Sequence, residues 1–242
     1  MVSVKSLLLA AMATVAYTAP TCQPAFVPTL PKTGGPRELP PPPPSFTLKK
    51  IAVGHGIQNY TCIDASSSPK ADGAVAILYD VTKFVPGTPK TGIPQALWDK
   101  IPSALLLKPL TLNKLAGSTY GAHATKPFPK EEALKLLGFP VAEFLGHHYF
   151  DINSTPMFDL SKVGLKASVT KLDGVDAPAN ADKGPLKTGA VAWLQLGESG
   201  KGLSTGLTQV YRVITAGGVG LKCNVAGAGV HSVPYTTFYW FF

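Results

Sequence analysis

From Phe46 onward, apolar residues come in short runs separated by Gly, Pro, Asn and Asp. Runs of this length with such punctuation predict strands rather than helices. The predicted strands are Phe46–Val53, Ile57–Cys62, Ala74–Val81, Leu165–Leu172, Ala190–Leu196, Leu207–Thr215 and Val233–Phe242. Alternation divides each into two faces. In Leu207–Thr215, Val210, Arg212 and Ile214 share one face, and Gln209, Tyr211 and Val213 the other. Helical signals are few. Pro129–Leu137 (PKEEALKLL) opens on proline, carries Glu131 and Glu132 in its first turn and stops at Gly138 and Pro140, so it is read as a helix. Ile93–Ile101 is a second short candidate. The expected fold is all-β and mainly antiparallel, a single β-sandwich or barrel-like domain with one or two short helices.

The two ends of the chain break this pattern in different ways. Residues 1–18 combine Lys5, the apolar run Leu7–Val15 and small residues before Pro20, which is the plan of a secretory signal peptide. A cut after Ala16 or Thr18 is preferred, because Pro20 disfavours cleavage after Ala19. The apolar run is shorter than the about 20 residues that span a bilayer, so no membrane association is expected. Residues 19–45 form a Pro-rich leader or linker in which Pro40–Pro44 must be extended. The β-domain is assigned to 46–242. At its far end, VPYTTFYWFF is mostly aromatic and reads as a buried last strand.

An extracellular address agrees with the cysteines. An oxidising compartment favours a bridge, and Cys62 with Cys223, near opposite ends of the folded region, is the expected pair. Cys22 is left over, free or intermolecular. Asn59-Tyr60-Thr61 and Asn153-Ser154-Thr155 are acceptor sequons that would make the chain a glycoprotein at Asn59 and Asn153. The formal charge is +8, and Arg37 and Arg212 are the sole arginines among 22 cationic residues. Nucleic-acid recognition leans on arginine forks and a concentrated basic stripe, so no nucleic-acid partner is expected. Attraction to anionic wall polymers is the milder inference.

The segment GHHYFDINSTPMFDL, Gly146–Leu160, holds the candidate catalytic residues His147, His148 and Asp151. In an extended strand His147 shares a face with Tyr149 and Asp151, and His148 shares the other with Phe150. Four residues at strand rise place His147 and Asp151 about 13 Å apart, too far for a shared metal ion at about 2 Å per ligand. No metal site and no cofactor are assigned. Gly202–Gly206 (GLSTG) has nucleophile-elbow spacing, but a strand follows it and no carboxylate side chain lies beyond Glu198. The dinucleotide fingerprint hinted at by Thr215–Gly220 fails at Cys223, where a third glycine belongs.

Four stretches carry a family resemblance. They are Gly56–Cys62 (GIQNYTC), Gly146–Phe150 (GHHYF), Val210–Gly218 (VYRVITAGG) with Cys223 after it, and Val233–Tyr239 (VPYTTFY). Together they resemble the secreted fungal and bacterial family called domain of unknown function 3455, from about Phe46 to the C-terminus. The resemblance supports pairing Cys62 with Cys223 and brings no substrate or catalytic residues. Some relatives are labelled malate dehydrogenase, an activity that the failed fingerprint and the extracellular address argue against. Where many relatives read Gly-Pro-Thr-Trp after the His-Tyr pair, this chain has Asp151–Met157. The expectation is therefore a secreted, non-catalytic cell-surface, cell-wall or extracellular-matrix protein, with cell-wall polysaccharide or another anionic polymer as partner. The alternative is an extracellular hydrolase or metal-dependent enzyme using the His147/His148 region. A small-ligand carrier is the third reading.

Overall fold

The computed structural model describes residues 27–242. The expected signal segment and Cys22 lie outside the described residues. Eight antiparallel strands close into a barrel in chain order: β1 (Lys50–Cys62), β2 (Lys70–Asp80), β3 (Phe144–Phe150), β4 (Pro156–Leu160), β5 (Leu165–Val175), β6 (Trp193–Glu198), β7 (Gln209–Gly217) and β8 (Gly229–Phe241). Each strand pairs with the next, and β8 returns to β1 in a continuous register from Lys50↔Phe241 to Cys62↔Gly229. Closure leaves no free sheet edge among these strands. Two short helices, α1 (Gln95–Trp98) and α2 (Ile101–Leu106), lie in the long connection between β2 and β3. A third, α3 (Cys223–Ala226), precedes β8, and its Cys223 is bridged to Cys62 at the end of β1.

The barrel has two cores, one on each side of its wall. Inside, small residues on β1 and β2 (Ala52, Ala74, Ala76) face Tyr235, Tyr239 and Phe241 of β8 and Phe158 of β4. This small-against-large matching is how a narrow barrel fills itself. Gly54 and Gly56 belong to it: a Cβ on Gly54 would stand 2.7 Å from the Tyr239 ring, and one on Gly56 would stand 2.0 Å from the Val75 carbonyl oxygen. Those glycines divide the predicted strands Phe46–Val53 and Ile57–Cys62, yet the chain runs through them as one strand. They are a packing requirement, not a turn.

Outside, Ile51, Val53, Ile57, Phe238 and Trp240 are covered by α1, α2 and the connection that follows. Trp98 stacks on Phe238 with ring centroids 4.2 Å apart, and the Thr236 hydroxyl donates to the Pro102 carbonyl at 2.5 Å. Each large apolar side chain buried this way contributes roughly 1.5–3 kcal/mol. Burial on both faces explains why the last strand is aromatic at every position from Phe238 to Phe241. The Pro-rich leader joins this outer layer. Leu39 is buried, the Tyr211 hydroxyl donates to the Pro40 carbonyl at 2.9 Å, and Arg37 grips both oxygens of Asp173.

Two local predictions fail. Pro129–Leu137 is not helical: Leu134 pairs with Ala142 through both backbone bonds, and a turn at Leu136–Phe139 reverses the chain. Leu134 and Leu136 pack inward while Lys135 and Leu137 face solvent, a period of two that the covering of β2 and β3 selects over helix propensity. In β7 the alternation breaks after Val213, where a bulge puts Ile214 at φ 49° and turns it to the outer core beside Val213. Ile214 therefore does not share the face of Val210 and Arg212.

Candidate functional site

The histidine segment is β3, and its two imidazoles diverge across the barrel wall. His148 points inward. It is 4% exposed, stacks on Phe158 at 4.2 Å, and its Nδ1–H donates to the Met157 carbonyl at 2.8 Å. Burial pushes its pKa down to about 4, and the Arg212 guanidinium inside the barrel acts in the same direction. His147 points outward, with the Phe128 ring 3.8 Å away and Phe144 edge-on at 5.1 Å. Partial burial lowers its pKa, while Glu131 and Asp159 oppose that shift. Asp151 sits in the β3–β4 turn, where its Oδ1 accepts the backbone N–H groups of Asn153 at 2.9 Å and Thr155 at 2.8 Å. Those bonds hold its carboxyl below the usual range. His147, His148 and Asp151 thus occupy three separate environments.

The other motifs resolve into structure. Ser204 of the GLSTG loop accepts the backbone N–H of Ser168 at 3.0 Å, binding the β6–β7 loop to β5. The Thr215–Gly220 glycines let the chain cross the barrel end. A Cβ on Gly218 would stand 2.8 Å from that of Tyr235, and the Tyr60 hydroxyl donates to the Gly218 carbonyl. Among the described residues, no group of three or more His, Cys, Asp or Glu side chains could hold a metal ion. None of their helices is long and apolar enough to cross a membrane.

Several recesses mark the outside, among them one of about 530 Å³ between residues 33–37 and 174–179. A groove of about 1,000 Å³ lies between the proline run Pro42–Pro44, Phe46, the Lys50–Asp80 ion pair and Phe242. A cleft of about 490 Å³ opens over β1, β2 and β3, where the register His55↔Ile77↔His147 lines up three side chains on one face. Its far wall is the connection after α2, with Lys108, Thr111 and Glu131. His55 is the residue that strand patterning passes over. It is 1% exposed, and burial pushes its pKa down to about 4. The usable signal was its place in β1: a lone polar side chain on the face of Val53 and Ile57, framed by two glycines.

A family model described as protein of unknown function (DUF3455) matches residues 42–242. The chain belongs to this family. No curated protein and no solved structure matches it. The DUF3455 match starts within the proline run, so the segment that builds the larger groove is partly inside the family's own boundary.

Proposed function

We propose that this DUF3455 protein is a secreted, non-catalytic surface or wall protein that holds anionic polymer through its lysines. The observation that carries this reading is the state of those lysines. Among the described residues, Lys50 and Lys162 are the lysines engaged in ion pairs. Five of the others, Lys108, Lys114, Lys126, Lys130 and Lys135, are exposed on one covering segment, the connection between α2 and β3, and the remainder are spread along the chain. Flexible, solvated ammonium groups attract a polyanion without demanding a fixed geometry. The Cys62–Cys223 bridge suits an oxidising compartment. A hydrolase using His147 with His148 would have the barrel wall between its two imidazoles. A carrier would need to displace Tyr235, Tyr239, Phe158 and Phe241 from the interior.

The test is co-sedimentation of the natively secreted protein with polygalacturonate and with an uncharged β-glucan, at low and high salt. Retention on the polyanion at low salt, released by added salt and weakened in Lys114→Gln/Lys126→Gln/Lys130→Gln, is the expected result. Equal retention on both polymers, or none on the polyanion at low salt, would defeat the proposal.

A further inference from the structure

We propose that the cleft over β1–β3 is a binding site for a single neutral sugar residue, recognised by His55, Tyr79, Thr111 and His147. The far wall of the cleft shares Lys108, Lys130 and Lys135 with the lysine surface, but the inference rests on the groups of its floor and does not depend on those lysines. The cleft, about 490 Å³, falls within the roughly 300–1,000 Å³ of small-molecule sites. Its floor holds a polar group with nothing to bind. His55 is 1% exposed, and its Nε2 has no hydrogen-bond partner. Buried polar atoms are nearly always paired, so an orphan on a side chain that lines a cleft points to a missing partner.

The surroundings narrow what that partner is. Burial keeps the His55 imidazole neutral down to about pH 4, so it presents one donor and one acceptor rather than a charge for an anion. A shared metal ion is excluded by Ile77, which stands between His55 and His147 in the cross-strand row. A hydroxyl both donates and accepts, and so fits either imidazole tautomer. The Tyr79 hydroxyl has a single long contact, 3.5 Å to Thr111 Oγ1, which leaves both oxygens available to further hydroxyls. Ile77, Leu105 and Phe144 supply apolar wall beside these groups. Hydroxyls at the edge and C–H groups on the faces are the chemistry of a pyranose ring. His147, held by its stacking on Phe128, completes the lining.

The experiment uses the mature secreted protein and neutral probes: the methyl glycosides of glucose, mannose, galactose, xylose and N-acetylglucosamine. Binding is followed by imidazole NMR and calorimetry in high salt, which silences the lysine surface. At least one probe should bind in the millimolar range or tighter and shift the His55 and His147 resonances. His147→Ala should weaken that binding about tenfold, the effect of losing a hydrogen bond with its packing. Thr111→Val, on an exposed loop, should weaken it a few-fold and serves if His147→Ala does not fold. The proposal is overturned if no probe moves the His55 resonance at its solubility limit, or if binding survives both variants unchanged. Methyl galacturonate is titrated beside the neutral probes at low and at high salt; binding of that probe alone, abolished by salt, would also overturn the proposal while leaving the polymer reading intact.

Discussion

Acid should destabilise this protein well before its carboxylates are protonated, and the cause is the pair of buried imidazoles. His55 and His148 both have pKa values pushed from 6.5 to about 4 by burial. Above pH 6.5 the folded and unfolded chains hold these rings in the same neutral state. Below it, the unfolded chain takes up protons that the folded chain refuses, so stability is lost as pH falls from about 6.5 toward 4. Each ring contributes a slope of about 1.4 kcal/mol per pH unit and about 3 kcal/mol in all. Together the two come to about 6 kcal/mol, inside the roughly 5–15 kcal/mol that holds a typical domain folded. The carboxyls of Asp80 and Asp159 lie below their usual range and lose their contribution at still lower pH. Urea unfolding at steps between about pH 7 and pH 4.5 reads this directly, as a falling midpoint at constant m-value. In His148→Phe the slope should fall by about 1.4 kcal/mol per pH unit whatever the new intercept, and His148→Gln is a second variant without a titrating ring. A midpoint that stays flat between pH 6.5 and 4.5, or a slope unchanged in both variants, would refute the reasoning.

Three further outcomes are expected. Cys62→Ser/Cys223→Ser opens a loop closed across a sequence separation of 161 residues, and losing such a bridge costs about 2–4 kcal/mol. Calorimetry should show a Tm lowered by about 5–15 °C, and an unchanged Tm would mean the bridge adds nothing. Gly56→Ala should lower stability relative to the unsubstituted chain by about 1–3 kcal/mol or prevent folding, because its Cβ would meet the Val75 carbonyl. Equal stabilities by urea titration would contradict this. Peptide mass spectrometry should find glycan on Asn153, exposed in the β3–β4 turn, and none on Asn59, which lies mid-strand with its Oδ1 accepting the Ser232 hydroxyl. Occupancy at Asn59 would overturn the second half.

Six of the eight strands, all but β3 and β4, were legible because each carries its own alternation and its own punctuation, and most of their boundaries lie close to the predicted ones. What could not be read locally was anything decided by a partner. Gly54 and Gly56 resemble a turn in one dimension, and only the Tyr239 ring and the Val75 carbonyl across the sheet show why they are glycine. PKEEALKLL has every local mark of a helix, and the wall beneath it selects an extended path instead. β4 (Pro156–Leu160) was missed because Pro156 and Asp159 interrupt its apolar run. The divergence of His147 and His148 was legible, since alternation alone sets it. The juxtaposition of His55 with His147 was not, because it depends on the register of two strand pairs.

This division bears on where function can lie. The interior of the barrel is committed: small residues on β1 and β2 leave room that Tyr235, Tyr239, Phe158 and Phe241 occupy, and the Tyr235 and Tyr239 hydroxyls lie 2.9 Å apart as hydrogen-bond partners. A ligand admitted there would have to break that packing at several kcal/mol per ring. The outside is different, because its recesses are made by segments laid over the wall rather than by the wall itself. The proline run builds one, and the connection between α2 and β3 builds another while also carrying five exposed lysines. Covering segments of this kind can change in length and chemistry without disturbing strand register, so a barrel of this design can hold its stability constant while its binding surface varies.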